Sequence, residues 1–129
     1  MKRAALLAIL LAGAATAGEP ISGEEFRRLS EGWTLHFADE SGEWFGSEQY
    51  FADGRTLWLP RGGQCEPGAW DAAAGEVCFR YAVGVSCWRL FRDGADGLVA
   101  ETADGSPPLR LRLVGREREP LLCPEGPGV

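Results

Sequence analysis

The sequence predicts an all-β fold, an antiparallel meander forming a small barrel or sandwich with one short N-terminal helix. Three observations predict it. About seven or eight short segments alternate apolar and polar residues, the two-residue period of extended chain. Tight connections rich in Gly and Asp separate them, and Asp53-Gly54 is the strongest short hairpin signal among these. Three of the four cysteines lie among alternating aromatics between Cys65 and Phe91, where two strands can face each other across a short loop.

The chain opens with a leader. Met1-Lys2-Arg3 is basic, Ala4 to Ala12 is apolar, and Ala15-Thr16-Ala17 is a small-x-small ending, which together predict a secretory signal peptide over residues 1–17, cut before Gly18. The apolar run is too short to span a bilayer. Ala14 stands where a lipoprotein would carry its cysteine, so no stable membrane anchor is expected and the product is placed in the periplasm or outside the cell. Removing 17 of 129 residues leaves 112, enough for one domain with a modest core. That domain is expected over 18–115, with 116–129 as a C-terminal tail tethered through Cys123. Losing Lys2 and Arg3 takes the basic count from 13 to 11 against 19 acidic residues, a charge of −8. Such a chain repels nucleic acid and anionic lipid, so nucleic acid is excluded as a partner.

The elements follow in order. Ser22 can cap a helix that begins at Gly23, with Glu25 completing a capping box, Ile21 stapled to Phe26 and Gly32 as the stop. This short helix suits the end of a sheet structure. From Trp33 the period changes to two, with Trp33, Leu35 and Phe37 on one face and Thr34 and His36 on the other. Glu43 to Phe51 and Gly54 to Leu59 make a hairpin around Asp53-Gly54. Gly68-Ala69-Trp70 starts another strand, and Asp71 to Gly75 is the expected loop into the cysteine hairpin. Asp93 to Gly97 is a turn before the strand Leu98 to Thr102, and Asp104 to Pro108 breaks the chain again. Leu109 to Leu113 alternates three leucines with two arginines as a last strand.

Within the cysteine hairpin, Val77, Phe79 and Tyr81 share a face with Ser86, Trp88 and Leu90. If Tyr81 to Gly84 forms the loop, Cys78 falls opposite Cys87 and Glu76 opposite Arg89. The charged pair is then worth about 0.2 to 1 kcal/mol. A three-residue loop ending at Gly84 is the competing register, and it leaves the cysteines out of step. In a small exported chain four cysteines predict two disulfides. If Cys78 pairs with Cys87, Cys65 must pair with Cys123. A zinc site is the rival, but no C-x-x-C pair is present.

From Trp44 to Trp88 the order W-F-G-S-E-Q-Y-F-A-D-G-R-T-L-W, then C-E-P-G-A-W, V-C-F-R-Y and C-W resembles small exported bacterial proteins classed as domains of unknown function. The resemblance covers the middle of the mature domain. It implies a compact periplasmic β-domain, and it supplies no catalytic residue.

Catalytic constellations are weakly represented. His36 is the sole histidine, so a serine triad would have to join it to Ser22, Ser30, Ser41, Ser47, Ser86 or Ser106, none of which stands in a G-x-S-x-G elbow. Glu40, Glu43, Glu48 and Asp53 could approach one another as a glycosidase pair, but such proximity is expected in so acidic a chain. Asp93-x-x-Asp96 and the Asp71 loop lack the ligand spacing of a calcium loop. No catalytic residue, metal or cofactor is therefore expected. Trp33, Trp44, Trp58, Trp70 and Trp88 are expected mainly to fill a core short of aliphatics, with Trp44 and Trp58 as the candidates to face a ligand at a barrel mouth. The expectation is a non-enzymatic β-domain that binds a small ligand or an envelope protein. The alternatives are an inhibitor of a basic cell-wall-degrading enzyme such as a lysozyme, suggested by the charge, and a carboxylate-based hydrolase.

Overall fold

The structure, a computed structural model, describes residues 18–105 and 108–124. The expected leader at 1–17 and Ser106 lie outside the described residues. The helix α1 (Gly23–Ser30) precedes eight strands: β1 (Thr34–Ala38), β2 (Trp44–Tyr50), β3 (Arg55–Pro60), β4 (Glu66–Ala73), β5 (Glu76–Tyr81), β6 (Gly84–Asp93), β7 (Gly97–Thr102) and β8 (Arg110–Glu117). Each strand pairs antiparallel with the next, and β8 returns to pair with β1. The sheet is thus a closed barrel and not a sandwich. Closure leaves neither β1 nor β8 with an unpaired edge, the hazard an open eight-stranded sheet would carry.

Alternation directs the inward set. Leu35, Tyr50, Trp70, Val77, Phe79, Leu90, Leu98 and Leu111 form one buried cluster. One end of the barrel is stoppered by α1. Ser22 caps the helix by accepting from the Glu25 amide at 3.2 Å, and Ile21 and Phe26 are both buried. The expected capping box is only half made, because the Glu25 carboxylate pairs with Arg92 of β6 and so ties helix to barrel. Phe26 stands edge-on to Tyr50 and Trp70, with ring centroids 5.4 and 5.0 Å away.

The cysteine hairpin takes the first register above, with Cys78 opposite Cys87, Val77 opposite Trp88 and Tyr81 paired to Gly84. Glu76 and Arg89 meet at 3.5 Å. The three-residue loop is excluded. Disulfides join Cys78 to Cys87 and Cys65 to Cys123. Two such bonds in a small barrel are consistent with an oxidising, extracytoplasmic location.

Three expectations are corrected, and the hairpin at Asp53-Gly54 is met with a longer loop. The loop at Asp71 to Gly75 shrinks to Ala74-Gly75, because β4 runs on to Ala73 opposite Glu76. Both turn residues have positive φ, 53° and 78°, which matches a type I′ turn without its usual Asn or Asp signal. At Asp53-Gly54 only the glycine has positive φ, and the Phe51 amide bonds the Arg55 carbonyl at 3.0 Å, so this hairpin uses a three-residue loop. Trp33 stands just before β1 rather than within it. Finally, β8 continues past residue 115 to Glu117, opposite Thr34.

Beyond β8 the tail crosses the outside of the barrel. Thr34 Oγ1 donates to the Glu119 carbonyl at 2.8 Å and the Leu121 amide donates to Gln49 Oε1 at 3.0 Å before Cys123 reaches Cys65. This strap buries Thr34, which alternation alone would leave on an exposed face.

Candidate functional site

The barrel interior is incompletely filled. A cavity of about 170 Å³ lies within it, walled by Phe45, Trp58, Phe79, Tyr81, Trp88 and Leu98 and floored by Phe26. Its end next to α1 is sealed, since Phe26, Tyr50 and Leu98 are buried. Phe45, Trp58, Tyr81, Ser86 and Trp88, towards the opposite strand ends, are only partly buried, so the cavity approaches solvent there.

A bulge decides which aromatics face inward. Phe37 pairs with Gly46 but Ala38 pairs with Trp44, leaving Phe45 as an extra residue on β2. An extra residue re-aims its neighbours. Phe45 consequently lines the cavity against Trp58, with ring centroids 6.1 Å apart, while Trp44 lies outside and is 40% exposed. Of the two candidate ligand-facing tryptophans the structure therefore brings Trp58 to the cavity and sets Trp44 apart from it. Two glycines make room for the walls. A Cβ on Gly46 would meet the Trp58 ring at 2.2 Å, and one on Gly68 would meet the Tyr81 ring at 2.5 Å.

One carboxyl group enters this apolar space. Glu48 is 4% exposed on the inward face of β2. Tyr50 Oη donates to its Oε1 at 3.2 Å, and Tyr81 Oη donates to its Oε2. Burial pushes the Glu48 carboxyl from 4.5 up to about 7, and hydrogen bonding from Tyr81, Thr56 and Tyr50 only partly offsets it. Burial, then the Glu48 charge, raises both tyrosine hydroxyls well above their ordinary value. The Thr56 hydroxyl lies buried near the same carboxyl without completing a hydrogen bond of good geometry. Among the described residues Glu48 makes no ion pair, and no cation contributes to its shift.

The other carboxylates considered with Glu48 do not join it. Glu43 pairs with Arg61 at 2.9 Å and Asp53 with Arg55 at 2.6 Å, both on the surface, and Glu40 is exposed. A second carboxylate across from Glu48, as glycoside hydrolysis requires, is therefore not supplied by this set. Asp93 and Asp71 are likewise engaged, with Arg112 and Arg80, at 3.1 Å each. Among the described residues the grouping of metal-type ligands is Glu76 with Cys78 and Cys87, and the two sulfurs are bonded to each other.

His36 does find a serine and a carboxylate. Its Nδ1 lies 2.5 Å from Ser47 Oγ and its Nε2 lies 3.1 Å from Glu117 Oε2. The carboxylate places the ring proton on Nε2, so Nδ1 accepts from Ser47, whose oxygen in turn accepts from Trp44 Nε1 at 2.9 Å. The order of groups is that of a hydrolytic triad. Access is not, because Ser47 is 2% exposed beneath Trp44 on the outer wall. The chain of bonds joins β1, β2 and β8 and explains how a buried serine and a half-buried histidine are satisfied.

The remaining tryptophans divide by role. Trp70 is core, with the Arg27 guanidinium 4.6 Å from its ring centroid. Trp33 is flanked by Arg116 and Arg118 at 3.6 and 3.9 Å, and Trp88 lines the cavity beside Trp58. Glu48 is the site residue that sequence reasoning reached only as one acid among several. Its signal is its place two residues before Tyr50, on the same face of an extended strand. No protein-family model, curated protein or solved structure matches the chain.

Proposed function

We propose that this is an exported, non-enzymatic binding barrel, periplasmic or secreted, which takes a benzene-sized group of a small ligand into its interior. The observation that carries the proposal is the aromatic-walled cavity of about 170 Å³ with a single buried carboxyl on its wall. An apolar cavity near 150 Å³ admits benzene. Pockets for larger organic ligands start at about 300 Å³, so a fused-ring or lipid-sized body is too big. The bulge at Phe45 and the space left by Gly46 and Gly68 position the wall around that void. The acidic surface that suggests an inhibitor of a basic enzyme is divided among ion pairs spread around the barrel, such as Glu101 with Arg110 and Asp71 with Arg80.

Neutral probes test the proposal. Toluene, benzyl alcohol and phenol at ten times their Kd should each raise stability by about 1.4 kcal/mol, a melting shift of several degrees. Ala100 borders the cavity, and Ala100→Leu should weaken binding at least tenfold by filling it. A wild-type chain that responds to none of these probes at millimolar concentration would overturn the proposal.

A further inference from the structure

The geometry points to a small arylalkyl amine as the occupant, its protonated nitrogen set against Glu48 and its ring against the aromatic wall. This inference rests on the binding function proposed above and adds the charge of the ligand. Each Glu48 oxygen accepts from one tyrosine hydroxyl, Oε1 from Tyr50 and Oε2 from Tyr81. Two donors of this kind orient the group as a carboxylate. They leave lone pairs on both oxygens unfilled, since an ionised carboxylate accepts about four hydrogen bonds. Among the described residues no arginine or histidine pairs with Glu48, although arginines elsewhere on the barrel are paired with acids. A buried carboxylate without a cation is costly, and a ligand that brings the cation removes the cost.

The walls agree with the carboxyl. Trp58, Trp88, Tyr81 and Phe45 surround the cavity, and the negative faces of such rings attract ammonium groups, tryptophan most strongly. An anionic ligand would meet Glu48 at the cavity and Glu66 near Tyr81 with repulsion. A neutral one would leave the carboxylate as it is.

The test compares benzylamine, benzyl alcohol and benzoate by titration calorimetry on the oxidised chain at pH 8. Benzylamine should bind at least tenfold tighter than benzyl alcohol, and benzoate should bind weakest. Between pH 8 and pH 6 benzylamine, protonated throughout, should lose about tenfold in affinity as Glu48 takes up its proton, while benzyl alcohol changes little. The groups facing Glu48 are Tyr50, Thr56 and Tyr81, with Glu66 beyond Tyr81. Both tyrosines stay neutral in this range. Glu48→Gln should bring benzylamine to the affinity of benzyl alcohol, with near-ultraviolet circular dichroism confirming the fold. Should the variant not fold, the wild-type pH series decides. Benzyl alcohol binding as tightly as benzylamine, or a preference that survives in Glu48→Gln, would overturn the ammonium assignment and leave the binding barrel standing. Silence from all three probes would overturn both.

Discussion

At Glu48 the sequence places a titratable group where eight strands otherwise converge on hydrocarbon, and the outcome for stability can be worked out from its proton. The folded chain holds that proton up to about pH 7, against 4.5 for the free group. Between these values the native state binds more protons than the unfolded one, so stability is full below pH 4.5 and falls as pH rises through 7. The loss amounts to about 3 kcal/mol by pH 8. Thermal unfolding of the unliganded wild type from pH 5 to 8 should therefore show a declining midpoint, and Glu48→Gln should remove most of the decline. Asp39 and Asp53 are shifted the other way, by hydrogen bonds from Ser41 and Arg55, and their effect lies at lower pH. An equal slope in both proteins would contradict the assignment. The sequence shows that Glu48 is on a strand. Alternation groups it with Tyr50, but it does not show that Phe45 joins that face, because this depends on a bulge that no residue type announces.

At the scale of the element, hairpins were the legible part and bulges were not. Turn glycines, cysteine spacing and strict alternation favour one of two registers for β5 and β6, and the favoured one is observed. The loop before β5 is shorter than its residues suggest because Ala74 occupies a left-handed position without the side chain that usually marks it. Trp44 was placed inward by simple alternation, which the extra residue at Phe45 defeats. The helix was legible from its cap and staple, and its task as a stopper follows from Phe26, 1% exposed against Tyr50 and Trp70. Phe26→Ala should cost about 3 to 5 kcal/mol in urea unfolding. Because Phe26 also floors the cavity, the surviving folded fraction should accept a larger aromatic ring than the wild type does. A cost below about 1 kcal/mol would show that α1 is dispensable to the core.

At the scale of the whole molecule, the all-β class and its disulfide pairs were readable from alternation and cysteine count, while the choice of barrel over sandwich required the pairing of β1 with β8, two segments far apart in the chain. The two disulfides close loops of different length, with sequence separations of 58 and 9 residues. Chain entropy alone assigns about 4 kcal/mol to the longer loop and about 3 to the shorter. Replacing Cys65 and Cys123 by serine should thus lower the urea midpoint more than replacing Cys78 and Cys87, and the reverse order would show that the strap contributes little to the native fold. Cys123 follows closely on β8, and in native geometry it meets Cys65 only when β8 already lies along β1. The bond between them is therefore a chemical timestamp on the last seam of the cylinder: quenching thiols at intervals during oxidative refolding would date the moment when the wall joins up.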